Sequence, residues 1–390
     1  METRKSSEIA ELIQTAKNGR GRSDYEAAAG LARRRWNHIQ HPLGGLGVLE
    51  DDIVQIAGLT GSADISLDKK AVIVFCSDNG VTAEGIAQTD SSVTGVVARR
   101  IAEGKTSVCK MSIRAGADVI PVDMGIKDFA GYAGVLDRRI ANGTGNILRE
   151  RAMTPDQAAS AISTGIDLAR ELKQRGCRLL AAGEMGIGNT TTSSACVCVL
   201  LGQEPETMTG KGAGLTDDGL KHKIDVVRGS IKNNGLEWKS CQNVECSGVT
   251  TSAPELSRQN SEPGTAYDAI EILSRVGGFD LLGMCGLYIG GWMHQIPVLT
   301  DGFASSVAAL AAVRICPECA DAIIASHVSS EPAAGIVLEA LGKKPLITGN
   351  LHLGEGTGAV LAMPMLDMAL AVYRDSVMFG EGGVEQYREL

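Results

Sequence analysis

The sequence predicts an α/β protein, a parallel sheet flanked by helices. Three observations carry that expectation. Short all-apolar runs recur, each ending in a polar, Gly-containing cluster, as buried parallel strands do. Segments with helical spacing lie between them, the alternation that right-handed β-α-β crossovers produce. Glycine is abundant, at 48 residues, while aromatics are 4%, which favours a Gly-, Ala- and Val-rich core over a β-sandwich.

In chain order, residues 5–17 read as a helix and 18–29 as polar and small. Ala71-Val-Ile-Val-Phe-Cys76 is a strand ending in Ser-Asp-Asn-Gly, and Val119–Asp123 repeats the pattern. Helical spacing covers 92–114 between them, and a long amphipathic helix runs over 155–175 from a Thr154-Pro155 start. Arg178–Gly183 is the next strand, followed by a glycine-rich turn and a helix over 191–202. Helices are expected over 215–233, 266–276, 280–293, 332–342 and 358–376, and strands at Pro297–Asp301 and Ala322–Ser326. The polar stretch 234–264 reads as a long loop or insertion.

The totals exclude several classes. A 390-residue chain can bury a large core, in one large domain plus a smaller one or in two. The net charge of −9 with no basic stripe argues against a nucleic-acid partner. No apolar run reaches the roughly 20 residues of a membrane span. The polar start METRKSSEIAELIQ is unlike a secretory leader, so a cytoplasmic location is expected. Cys76, Cys196, Cys198 and Cys285 lie in apolar runs and read as small core residues. Cys316-Pro-Glu-Cys319 is a lone CxxC without a second pair at zinc spacing, read as coincidence or a surface thiol pair. The histidines are scattered, so neither a metal nor a cofactor is expected.

The strand ends place Ser77-Asp78-Asn79-Gly80, Asp123-Met124-Gly125, Gly183-Glu184, Asp301-Gly302 and Ser326-His327 along one sheet edge, where open parallel sheets bind ligands. Gly183-Glu-Met-Gly-Ile-Gly-Asn-Thr-Thr191 is a strand-to-helix turn whose amides suit a phosphate, without the spacing of a Walker or dinucleotide loop. Gly210-Lys-Gly-Ala-Gly214, with Lys221 and Lys223 close behind, suits a phosphate too, or simply leads into a solvated helix. His327, in Ser326-His-Val-Ser-Ser-Glu-Pro332, fits a general base, while Glu331-Pro332 fits a plain helix start. Glu355, between Gly354 and Gly356, fits either an N-cap of the following helix or a base awaiting a proton.

Taken together, "HPLGGLGVLE", "CSDNGVTAEG", "GEMGIGNTTTSSA", "GAGLTDDGLKHKIDVV", "VGGFDLLGMCGLYIGG", "PVLTDGFASSVAALAA", "SHVSSEP" and "LGEGTGAVLAMPMLDMALAVY" resemble, in order, the nicotinate-nucleotide–dimethylbenzimidazole phosphoribosyltransferase family of cobamide synthesis. The resemblance implies a parallel α/β domain over 51–359 and a small helical domain from 1–50 with 360–390. It implies a homodimer and transfer of ribose 5-phosphate from nicotinate mononucleotide to an aromatic base, with inversion at C1′. Residue by residue, it assigns the base to Glu355, a supporting carboxylate to Glu184, and the phosphate to Gly186, Lys223 and Ser329. Asn189, Thr190 and Thr191 would border the nucleotide, and Asp78, Thr89, Val97 and Gly354 complete the expected substrate-binding set.

The chain departs from the family pattern at Asn79, where the family has His, at His41, where it has Lys, and at Val97, where a Gln lies near the incoming base. An apolar Val97 suits phenol or p-cresol, which two-subunit relatives attach through oxygen. Heterodimerisation with a paralogue, or a non-catalytic nucleotide-binding homologue, are the competing readings. The second predicts degraded acids, yet Glu184 and Glu355 are both present.

Overall fold

A computed structural model of the chain describes residues 6–19, 21–238, 268–381 and 383. Most of the expected polar insertion therefore lies outside the described residues. The frame is a six-stranded sheet: β1 Lys70–Ser77, β2 Ala117–Gly125, β3 Leu136–Asp137, β4 Leu179–Met185, β5 Val298–Thr300 and β6 Ile323–Ala325. Their order is β3-β2-β1-β4-β5-β6 and every pairing is parallel. The chain steps outward from β1 through β2 and β3, then returns to the other side of β1 for β4. Loops after β1 and β4 thus leave in opposite directions and open a crevice beyond their carboxyl ends.

The apolar run in β1 is explained by its two covered faces. Ala71, Ile73 and Phe75 join one core cluster, and Val72, Val74 and Cys76 join the other. Strand side chains alternate, so a strand buried on both sides shows no polar alternation. The first face is covered by helices Pro155–Gln174 and Phe279–Met293. These two approach so closely that a Cβ on Gly165 would lie 2.1 Å from the Gly283 carbonyl oxygen, and one on Gly286 would lie 1.9 Å from that of Ile162. Helix Pro155–Gln174 starts with a reciprocal cap: Gln157 N–H donates to Thr154 Oγ1 (3.2 Å) and Thr154 N–H to Gln157 Oε1 (2.9 Å).

The second face is covered by helices Ser107–Ala115 and Thr357–Asp375, the latter through Ala359, Met363 and Leu366. Residues 35–39 meet residues 373–378 there. Arg35 donates to the carbonyls of Tyr373 (2.6 Å) and Arg374 (2.7 Å), Trp36 packs on Tyr373, and Ile39 bridges Met378.

Several elements differ from expectation. The 92–114 segment is two helices, Ser92–Ala102 and Ser107–Ala115, broken at Gly104, whose φ of +69° ends the first. The segment expected to be polar and small opens a helix, Arg22–His38, which buries Ala28, Ala32 and Trp36. Its apolar stripe is one residue per turn, too thin to stand out. Helix Val48–Thr60 and a parallel pair, β7 His327–Ser329 with β8 Ile347–Leu351, were not expected. Cys316 and Cys319 are fully buried, so the CxxC is part of the core and not a surface pair. Among the described residues, no helix is long and apolar enough to cross a membrane.

Candidate active site

Beyond the carboxyl edge of the sheet lies a cavity of about 290 Å³, walled by residues 86–89, 184–190, 211–213, 215, 223, 301–305, 327, 329, 331 and 352–355. Glu355 enters it from the turn before helix Thr357–Asp375. Its backbone is left-handed, with φ +60°, between Gly354 at +84° and Gly356 at +86°. A side chain there costs roughly 1–2 kcal/mol, so the surroundings must hold it.

They do so through Asp301, at the end of β5. Its Oδ2 accepts Gly356 N–H (3.0 Å), and Oδ1 accepts Gly358 N–H (2.7 Å) and Ala359 N–H (3.2 Å). Strand β4 presses from the other side: a Cβ on Gly183 would sit 2.8 Å from the Glu355 carbonyl oxygen. Glu355 is therefore not the helix cap, because Asp301 takes the first amides. Among the described residues its Oε2 is buried without a hydrogen-bond partner. Burial pushes its carboxyl above the usual range, the Thr106 hydroxyl and Val108 N–H pull it back, and Asp301 pushes it up.

Glu184, at the end of β4, is the second acid in the wall. A Cβ on Gly354 would lie 2.9 Å from its Oε1, which explains that glycine. The Asn189 amide donates to Glu184 Oε2 and to Asp280 Oδ2, the latter at 3.1 Å. Burial, then the nearby Asp280, push Glu184 up to about 8, and burial pushes Asp280 to about 6. Burial and the neighbouring acids thus favour the protonated, neutral form of Glu184 at the cavity wall.

The wall also carries a buried cation and a glycine-rich turn. Lys223 is buried, and its Nζ donates to Thr190 Oγ1 (2.8 Å) and to the Gly210 carbonyl (3.0 Å). Burial lowers it to about 8, with Glu331 opposing. Lys221, by contrast, is exposed and pairs with Asp218. Gly186 lines the turn after β4, where a Cβ would meet the Ser77 carbonyl oxygen at 2.5 Å. Ser329 also faces the cavity. Glu331 does more than begin a helix: its Oε1 accepts Gly212 N–H at 2.9 Å and so anchors the 210–214 loop.

Of the expected residues, Glu355, Glu184, Gly186, Asn189, Thr190, Lys223, Ser329, Thr89 and Gly354 line this one cavity, Thr89 at its exposed rim. Three do not. Asp78 is buried behind the wall, receiving Thr94 Oγ1–H (2.6 Å) and Lys127 N–H (2.8 Å). Thr191 turns into the core of helix Asn189–Leu201. Val97 is half-buried against the second core cluster. Asn79, in the family's His position, donates to the Ile187 carbonyl at 3.4 Å and steadies the phosphate-type turn. Asp280 and the role of Asp301 were missed. For Asp280 the signal was a lone acid inside the apolar run Phe279-Asp-Leu-Leu.

Comparison with known proteins decides the family. A phosphoribosyltransferase family model matches residues 22–253 and 249–384. The chain belongs to this family. It is 41% identical over 364 residues to the nicotinate-nucleotide–dimethylbenzimidazole phosphoribosyltransferase of Acetivibrio thermocellus, covering 93% of this chain and 96% of that protein. It is 38% identical over 350 residues to the enzyme of that name from Escherichia coli (strain SMS-3-5), covering 90% of each. The crystal structure of CobT from Thermus thermophilus, 32% identical, superposes with a TM-score of 0.80 over 93% of this chain and 100% of that one. This phosphoribosyltransferase thus shares both sequence and fold with that group along nearly its whole length.

Proposed function

We propose that the protein transfers the 5-phosphoribosyl group of nicotinate mononucleotide to 5,6-dimethylbenzimidazole, giving an α-ribotide and nicotinate for cobamide synthesis. The observation that carries the reading is Glu355: a carboxylate oxygen, buried and unpaired among the described residues, on a cavity whose wall also carries a buried lysine and a glycine-rich turn, which we read as an anion cradle. The phosphate lies on Lys223, Ser329 and the amides after Gly186, with Asn189, Thr190 and Thr89 along the nucleotide. A ring nitrogen of the benzimidazole attacks C1′ on the face opposite nicotinate. The C1′–N bond breaks with its electron pair returning to the pyridine nitrogen, so no acid is needed there. The benzimidazolium then passes its N–H proton to Glu355, a base contribution of order 10²–10⁴-fold. Glu184, neutral at the wall, donates a hydrogen bond toward the substrates.

The buried Asp78 and Thr191 support the walls from behind. The second reading, transfer to phenol or p-cresol through oxygen, loses its main support, because Val97 packs against the second core cluster and does not line the cavity. We read the functional unit as a cytoplasmic homodimer or a heterodimer with a paralogue, and the chain ends, 1–50 with 360–390, as a small helical domain beside 51–359. Exposed Leu361 and Met368 on helix Thr357–Asp375 support an apolar subunit contact.

The test is incubation of the purified protein with nicotinate mononucleotide and either dimethylbenzimidazole or phenol, with products followed chromatographically. Ribotide from dimethylbenzimidazole supports the first reading, and ribotide from phenol alone the second. Nicotinate release with neither acceptor would remove both. Light scattering of the protein alone reads the subunit number.

A further inference from the structure

We propose that Asp301 is a positioning residue for the reaction, holding Glu355 in its left-handed conformation and setting the electrostatic field in which that base works. The inference rests on the reading above, in which Glu355 takes the proton of the incoming ring.

The geometry is specific. Asp301 is 2% exposed and ends β5, one of the strands that opens onto the cavity. Its two oxygens receive three backbone N–H groups, from Gly356, Gly358 and Ala359, in the turn that directly follows Glu355. These bonds stop the first turn of helix Thr357–Asp375 from sliding. The turn is closed on its other sides by Gly183 of β4, which leaves no room for a Cβ, and by Val72, whose Cγ1 would lie 2.6 Å from a Cβ on Gly356. Glu355 is thus suspended between a strand it touches and a carboxylate that binds its successors. A helix cap needs only one acceptor, and a serine or asparagine would serve. A buried aspartate that meets the His327 ring at 4.0 Å but, among the described residues, pairs with no lysine or arginine is a costly way to cap a helix, unless its charge matters.

The charged and titratable groups around it are few. Glu184 stands at the end of β4 and His327 at the start of β7, its Nδ1 4.0 Å from Asp301 Oδ1. From helix Ser107–Ala115 and its cap, the Thr106 hydroxyl and Val108 N–H face Glu355. His327 is buried, and desolvation lowers its proton affinity, with Asp301 opposing. Asp301 raises the proton affinity of Glu355 and of Glu184. A carboxylate next to a carboxylate base makes that base stronger.

The experiment compares wild type with Asp301→Asn, which keeps one acceptor and loses the charge, and with Asp301→Ser, a neutral capping residue that folds where Asn leaves an amide facing an amide. Each is assayed for kcat and KM over pH 5–9. The expected result is a fall in kcat of about 10- to 100-fold, KM for nicotinate mononucleotide within about threefold, and the acid limb of kcat displaced to lower pH. The sign follows from the chemistry: with the neighbouring negative charge gone, Glu355 binds its proton less tightly and stays ionised further into acid. A merely structural Asp301 would lower the melting temperature and the active fraction in both variants, while the limb stayed in place. An unmoved limb, or unchanged kcat in a folded variant, overturns the proposal. Failure of the wild type itself to form ribotide would instead overturn the assigned reaction.

Discussion

Lys223→Met tests the anion cradle through stability and binding together, and the two are expected to move in opposite directions. Lys223 is 1% exposed, and its ammonium donates to the Thr190 hydroxyl and the Gly210 carbonyl at 2.8 and 3.0 Å. Burial brings it from 10.5 to about 8, so holding the charge in the folded, empty site costs about 3 kcal/mol near neutral pH. Methionine removes that cost and forfeits two hydrogen bonds of about 1 kcal/mol each, so the variant should be more stable at pH 7 by about 1 kcal/mol. The pH dependence fixes the cause. Because the folded-state value lies below the unfolded one, the penalty is complete below pH 8. It shrinks as the folded lysine loses its proton first, so wild type gains about 2 kcal/mol on the variant by about pH 9.5. Denaturant melts of both proteins at pH 7 and 9.5 read this directly. Binding moves the other way: loss of one charge-assisted bond to phosphate, about 1.5–3 kcal/mol, raises KM for nicotinate mononucleotide roughly 10- to 150-fold. In wild type kcat/KM should also fall above pH 8, and in the variant that limb should vanish. A variant less stable at pH 7, with a gap that does not change with pH, would refute the burial argument. An unchanged KM would refute the cradle.

Other consequences are as direct. Glu355→Gln keeps the shape and loses the base, so kcat should drop at least about 100-fold with little change in nucleotide KM, measured by initial rates. Gly183→Ala puts a methyl 2.8 Å from the Glu355 carbonyl, backbone against backbone, and should lower kcat by about tenfold or more while costing about 1–3 kcal/mol in a denaturant melt. Gly286→Ala meets the Ile162 carbonyl at 1.9 Å, far from the cavity. It should cost at least about 3 kcal/mol by prying apart helices Pro155–Gln174 and Phe279–Met293, with KM unaltered in the molecules that remain folded.

What could be read in the sequence follows from how local each signal is. The strands β1, β2 and β4 were legible because burial on two faces makes an unbroken apolar run, and their carboxyl ends were legible because the chain must turn at a polar Gly cluster. The cavity's two acids and its lysine were legible by resemblance, since their motifs are contiguous. Elements stabilised by distant partners were not. β8 is a half-exposed Ile-Thr-Gly-Asn-Leu that is a strand only because β7 lies beside it, and helix Arg22–His38 rests on helix Val48–Thr60, which was itself not expected, with Trp36 against Tyr373 far along the chain. Asp301 is the sharpest case. Its neighbours in sequence mark it as one more polar strand end, and Glu355 looked like the natural cap for the helix that follows it. Only the meeting of Asp301, just after β5, with the first turn of that helix shows the exchange. The acid that follows β5 takes the helix amides, and the acid that sequence proximity assigns to them is turned to the cavity, with its Oε2 unpaired among the described residues and its proton affinity raised by burial.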